Sequence, residues 1–155
     1  MDRQNAENME FRQVEWKDRE LLFTWSNDEE VRKQSFQGKL ISWEEHDRWF
    51  EAKMCSEDCD LLIWVEDGID KGMLRLDYEN EKARVSYSVQ KDQRGRGTAS
   101  RLIGALPAYI KGAMPGIHTI VAEVKAENRF SRRIFEKCGY SQEQKADRVM
   151  FTLNI

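Results

Sequence analysis

Residues 84–110 read Arg84-Val-Ser-Tyr-Ser-Val-Gln-Lys-Asp-Gln-Arg-Gly-Arg-Gly-Thr-Ala-Ser-Arg-Leu-Ile-Gly-Ala-Leu-Pro-Ala-Tyr-Ile110. Val85, Tyr87 and Val89 alternate with Arg84, Ser86 and Ser88, the period-two pattern of a strand. From Thr98 the period lengthens, and Leu102, Ile103, Leu106 and Ile110 fall on one face of a helix. Between strand and helix, Gly95 and Gly97 allow backbone to approach a ligand with no Cβ in the way. Such a loop points free N–H groups from a helix N-terminus, which suits a phosphate or pyrophosphate, and Arg94 and Arg96 add positive charge. The same glycines would serve a plain strand–helix turn, so the loop does not decide the matter by itself. The spacing excludes two alternatives. No Gly-x-x-x-x-Gly-Lys-Ser/Thr is present, and the dinucleotide fingerprint fails at position 100, which is Ser.

The segment Arg94-x-x-Gly97-x-Ala99 resembles the acetyl-CoA signature of the GCN5-related N-acetyltransferases (GNAT). Downstream, Asn128-x-x-Ser131-x-x-x-Phe135-Glu136-Lys137-x-Gly139-Tyr140 resembles that family's second motif. Two motifs at the family's spacing identify the chain as a member. The resemblance implies an α/β fold with a mixed, mostly antiparallel central sheet, a splayed parallel strand pair and helices on both faces. It also implies acetyl-CoA as co-substrate. The cofactor contacts it assigns are main-chain groups of Tyr87, Ser88 and Val89, then the loop Arg94, Gly95, Arg96, Gly97, Thr98, Ala99 and Ser100. Asn128, Ser131 and Phe135 follow on the last helix, where Asn128 reads equally well as a plain N-cap. Phe135 departs from the pattern: many members carry Tyr there as general acid to the CoA thiolate. A thiol is a tolerable leaving group even without an acid, and a water, Ser131 or another donor could substitute.

The candidates for the base are Ser86, Glu123 and His46. Serine alone is a weak base and suits orienting the amine. Glu123 sits in the apolar run Ile120, Val121, Val124, which would raise its pKa unless it points to solvent. His46 titrates near neutrality but lies on an aromatic helix face, where a packing role is the alternative.

With 155 residues, 40% apolar and 34% charged, the chain has the size of one domain with a real core. Residues 9–155 are read as that domain and 1–8 as a disordered tail. No apolar run reaches membrane-spanning length, and the first residues lack a signal-peptide core. The net charge of −3 lacks the basic footprint of a nucleic-acid binder. Cys55, Cys59 and Cys138 form no zinc pattern, so no metal is expected, and reduced thiols and a cytoplasmic location are the reading.

In chain order, Glu10–Trp16 reads as a strand, and Asp18 as the cap of a helix carrying Leu21, Leu22 and Trp25. Asp28 reads as the cap of a short helix, and Ser42 with Glu45 as a capping box for a helix to about Met54. Residues 60–66, 73–78 and 84–89 read as an antiparallel meander, the first turn spanning Asp67–Gly72. Pro107 should kink or shorten its helix. Residues 117–124 should run parallel to 84–89, being reached by a helical crossover. The last helix, 128–138, is read with Phe130, Ile134, Phe135 and Cys138 facing inward, and residues after Tyr140 finish the sheet.

The segment Trp25-x-Asn27-x-x-x-Val31-Arg32-x-x-Ser35, with Ile41-Ser42-x-x-x-His46-x-x-Trp49-Phe50, resembles a GNAT subgroup that acetylates the 4-amino group of a UDP-linked amino-deoxy sugar in the pseudaminic-acid pathway. By that resemblance Trp25, Arg32, His46 and Trp49 would bind substrate, although the aromatic residues could equally be a packing face. A protein N-terminal or polyamine acetyltransferase is the alternative, and a non-catalytic acetyl-CoA-binding module one from another class. The sequence is silent on oligomeric state, and a homodimer is left open.

Overall fold

The computed structural model describes residues 8–155, so the expected tail lies outside the described residues except for Asn8. The chain runs β1 (Met9–Gln13), a 3-10 turn (Trp16–Asp18), α1 (Arg19–Ser26), α2 (Glu29–Gln34) and α3 (Trp43–Met54). It continues through β2 (Cys59–Glu66), β3 (Ile69–Glu79), β4 (Lys82–Val89), a second 3-10 turn (Lys91–Gln93) and α4 (Thr98–Ala113). β5 (Thr119–Lys125), α5 (Arg129–Lys137), β6 (Ser141–Gln144) and β7 (Arg148–Asn154) complete it. The seven strands lie in the order β1-β2-β3-β4-β5-β7-β6, antiparallel except for the β4–β5 pair.

Local chemistry sets most of these boundaries. The β2–β3 and β3–β4 hairpins close on Asp67-Gly68 and Asn80-Glu81, all four residues with positive φ, the backbone that matches strand twist. The first turn is thus two residues rather than the six expected. Ile69 to Gly72 already pair with β2, across a bulge at Trp64/Val65. Asp28 caps α2 through the Val31 N–H at 3.2 Å, and Ser42 caps α3 through the Glu45 N–H at 3.2 Å.

Four expectations are corrected. Trp16 is not in the first strand but on the 3-10 turn, half exposed to solvent. Asp18 does not cap α1: its carboxylate accepts from Arg12 at 2.9 and 3.1 Å and from the Glu15 N–H at 2.8 Å. Pro107 neither ends nor shortens α4, which runs on to Ala113 because Leu106 and Ile110 on its inner face are fully buried. Phe130 does not face inward but is 61% exposed, since the first turn of α5 stands at the mouth of a cleft.

Apolar residues cover both faces of the sheet. Leu62, Trp64, Leu74 and Leu76 pack with Leu102, Ile103, Leu106 and Phe135 on the face under α4 and α5. Leu61, Ile63 and Val65 pack with Leu22, Trp25 and Phe50 under α1 and α3. That double cover explains why β2 is a continuous apolar run rather than an alternating one.

Candidate active site

β4 and β5 pair over only three rungs, Lys82–Thr119, Ala83–Ile120 and Arg84–Val121, while β4 pairs with β3 along its whole length. Beyond Arg84 the two parallel strands part, leaving the β5-facing backbone edge of residues 85–89 without a ladder. Unpaired main-chain groups in the middle of a sheet need another partner. They line a cleft of about 990 Å³. Tyr87, Ser88 and Val89 lie on its wall, as do Asn128, Ser131 and Phe135 across the gap and Arg94, Gly95, Gly97, Thr98 and Ala99 from the loop, whereas Arg96 and Ser100 of the set read from sequence do not line it.

At one end lies the glycine loop. Gly95 and Gly97 take φ of 76° and 79°, left-handed values that a side chain would resist. Gly97 is the N-cap of α4 and supplies no side chain, and none of the N–H groups of residues 95–100 donates to another described residue. Free N–H donors at a helix N-terminus, with the helix dipole behind them, suit an anion. The residues therefore fit a pyrophosphate. The two arginines expected to add charge here differ in what engages them. Arg94 donates to the Val89 carbonyl at 3.1 Å and to Asp28 at 2.7 Å, and Arg96 is exposed.

The loop is braced by a cluster that sequence reasoning missed. Glu66, 4% exposed, takes a bidentate pair from Arg101 at 2.7 and 2.9 Å, the Trp64 indole N–H at 2.8 Å and Lys71 at 3.1 Å. Burial opposes ionisation of Glu66, but these donors outweigh it and hold the carboxyl down at about 2. Arg101 also donates to the Arg96 carbonyl at 2.9 Å, which fixes the loop's shape. A lone carboxylate ending an apolar strand was the available signal, because such a group is rarely buried unpaired.

α2 roofs the opposite side of the cleft. Asp28 ties it to Arg94 on the cradle side. Lys125 on β5 donates to the Lys33 carbonyl at 3.0 Å, and Arg148 on β7 stacks over Phe36 at 4.0 Å. The loop from Ser35 to Ile41 is pinned too. Asn27 exchanges two 2.8 Å bonds with the Ile41 backbone, and Arg32 donates to Ser26 O, Lys39 O and Ser35 Oγ at 2.7, 3.2 and 3.0 Å. Arg32 therefore lines the cleft as a brace, not as a free cation. Trp25 is corrected outright: it is buried beneath α1 and does not line the cleft, whereas Trp49 and His46 do.

The candidate bases differ in what holds them. Glu123 lies between Arg84 and Arg148, the latter at 2.6 Å, so both oxygens of its carboxylate are already paired with guanidinium groups. Ser86 accepts from Arg75 at 3.2 Å. His46 is 2% exposed, and its Nε2 lies 2.8 Å from the Arg19 carbonyl, so Nε2 carries the proton and Nδ1 does not. Burial lowers its pKa, against the opposite pull of the Arg19 carbonyl. A depressed histidine binds its proton more readily in the unfolded chain, so stability is lost as pH falls below about 6.5. The midpoint of thermal unfolding should drop from pH 7 to pH 5.5, and His46→Gln should flatten that slope. Parallel slopes in the two proteins would refute this.

The geometry agrees with known proteins. A family model described as "Acetyltransferase (GNAT) domain" matches residues 8–141. No curated protein sequence matches the chain. Among solved structures, the fold is similar to a spermidine N-acetyltransferase from Vibrio cholerae in complex with CoA and spermine, at 16% identity and TM-score 0.86, covering 96% of each chain. A ribosomal alpha-N-protein acetyltransferase in complex with coenzyme A is similar at 14% identity and TM-score 0.82, covering 96% of this chain and 94% of that one. An aminoglycoside acetyltransferase in complex with coenzyme A follows at 14% identity and TM-score 0.81, covering 94% of each. With the family model spanning most of the sequence and the split sheet beneath it, the chain belongs to the GNAT family and is an N-acetyltransferase.

Proposed function

We propose that the protein transfers the acetyl group of acetyl-CoA to a small-molecule primary amine, the 4-amino group of a UDP-linked amino-deoxy sugar. The observation that carries this reading is the wall of the acceptor half of the cleft. Phe36, Ile41, Trp49 and Met73 make it largely apolar, as a deoxysugar requires, and Glu123 is neutralised by Arg84 and Arg148. Gln34 on the same wall carries a buried Oε1 with no donor among the described residues, an acceptor for a sugar hydroxyl or an amine. Lys125 brings positive charge to the rim, where a diphosphate would pass.

Acetyl-CoA, when bound, supplies the acyl group as a thioester. The chain's own groups do the rest. The N–H groups of residues 95–100 hold the phosphates, and the open edge of β4 at Tyr87, Ser88 and Val89 offers main-chain partners to the arm. Asn128 is the α5 cap, its Oδ1 accepting from the Ser131 N–H at 3.2 Å, which leaves its amide N–H groups for the arm. Ser86 orients the amine, and the unprotonated Nδ1 of His46 takes its proton, directly or through water. An amino sugar's ammonium is more acidic than that of lysine, so a weak base suffices.

A second reading, polyamine acetylation, is favoured by Glu30 and Glu45 on the same wall and by the spermidine-acetylating relative. CoA release from acetyl-CoA, followed with a thiol reagent and a no-acceptor control for the protein's cysteines, separates the two. Turnover confined to UDP-4-amino-4,6-dideoxy sugars is the expected result. Turnover only with spermidine, an aminoglycoside or an N-terminal peptide would overturn the sugar reading. Arg32→Ala removes three hydrogen bonds worth about 1 kcal/mol each. It should raise the acceptor KM roughly tenfold while leaving that of acetyl-CoA unchanged. Equal changes in both constants would contradict a role confined to the acceptor loop.

A further inference from the structure

A pair of hydroxyls lines the cleft beside position 135, where Phe offers no proton. Tyr87 lies on β4 three residues past its last rung with β5, and its Oη is 2.9 Å from Ser131 Oγ on α5. Phe135, one turn further along α5, meets the Tyr87 ring edge-on with centroids 6.0 Å apart. All three residues line the cleft. Phe135 is 1% exposed and stacked on Phe151 at 5.3 Å, so position 135 contributes a packed ring and no proton. Tyr87 brings a hydroxyl to the same neighbourhood from the facing strand.

We infer that Tyr87 is the proton donor to the departing CoA thiolate, with Ser131 as its positioning residue. This rests on the acetyl-CoA reading above. Ser131 is fixed by the bond from its N–H to Asn128. Either hydroxyl of the pair can donate to the other, and the assignment takes the arrangement in which Ser131 Oγ–H donates to Tyr87 Oη and the phenolic hydrogen is left for the sulfur. As the amine nitrogen bonds to the thioester carbon, the carbon–sulfur bond breaks and its electron pair goes to sulfur. The Tyr87 proton follows that pair. The proton shed by the amine and taken up at His46 Nδ1 is relayed through water in the cleft to the phenolate, which restores both groups, so the sum is amide plus free thiol. Burial pushes the Tyr87 hydroxyl up to about 12, against the opposite pull of the Ser131 bond, so the donor stays protonated across the neutral range.

The test measures affinity for CoA by calorimetry between about pH 7 and 9, the range spanning an ordinary thiol's ionisation, with desulfo-CoA as the control lacking the sulfur. A hydroxyl that donates to bound thiolate makes CoA bind more tightly as pH rises, by roughly tenfold relative to desulfo-CoA. Tyr87→Phe keeps the ring and should abolish that rise, while turnover falls roughly a hundredfold at little change in the acetyl-CoA KM. Ser131→Ala should reduce the rise without abolishing it. Tyr87→Phe with the wild-type pH dependence, or with wild-type turnover, would overturn the assignment. Failure of the wild type to bind either CoA or desulfo-CoA would overturn the acetyl-CoA reading and this assignment with it, a result distinct from the other two.

Discussion

Glu66→Gln is expected to lower the free energy of unfolding by about 3 kcal/mol and to weaken acetyl-CoA binding as well. Four donors converge on this one carboxylate: two from Arg101, one from Trp64 and one from Lys71. A neutral amide removes the charge that balances Arg101 and Lys71, and its own N–H groups meet donors rather than acceptors. Breaking a buried ion pair costs about 3–5 kcal/mol. The lower end applies because the Arg101 side chain is 37% exposed and water can partly replace its partner. Once released, Arg101 no longer holds the Arg96 carbonyl, and the loop from Gly95 to Ser100 loses its brace. The acid side gives an independent signature. The carboxyl sits at about 2 when folded, below its unfolded value, so its contribution is fully present above the unfolded pKa and fades as pH falls toward 2. Glu66→Gln should lose that part of the acid sensitivity. Urea unfolding and an acetyl-CoA titration check both claims. A variant within about 1 kcal/mol of wild type would sink the argument.

The parts of the fold legible in the sequence are those whose cause is local. The strand–glycine–helix segment from Arg84 announces itself through a change of period, and Asp28 and Ser42 cap the helices that their positions in the sequence assign to them. What the sequence hides depends on residues that meet only after folding. Glu66 and Arg101 are 35 positions apart, and neither looks unusual alone. Trp25 and Arg32 read as substrate contacts because they sit in a motif with His46 and Trp49. Folding divides that motif by function: Trp25 packs, Asn27 and Arg32 shape the loop, and His46 and Trp49 reach the cleft. A motif's spacing cannot tell a brace from a contact, since both are constrained by the same geometry. Phe130 misleads for a related reason. It shares a helical face with Ile134, but the first turn of α5 stands at the mouth of the cleft, so Phe130 is exposed while Ser131 next to it is buried.

Gly72 carries the last large effect, and in the sequence it is legible only as part of a turn. A Cβ there would lie 2.7 Å from the Ser88 carbonyl oxygen and 3.3 Å from the Leu102 side chain. Leu102 can adjust, but a carbonyl cannot move without its strand. Gly72 pairs with Val89 and Met73 with Ser88, so β3 is held there as firmly as β4. Past Arg84, however, β4 has no ladder on its β5 side, so the open cleft is the direction in which it yields. Gly72→Ala should therefore push Ser88 and Val89 into the space meant for the acyl donor. The expected result is a loss of roughly a hundredfold in kcat/KM beside a destabilisation of only about 1–3 kcal/mol. Gly104 is the control: it lies within α4, and a Cβ there would meet nothing within 4 Å. Gly104→Ala should raise stability by about 0.5–1 kcal/mol and leave kinetics alone. Should Gly72→Ala keep wild-type kcat/KM, the split in the sheet would have to be rigid rather than yielding, and the cleft's width would be set by α4 and α5 instead of by the fit of β3 against β4.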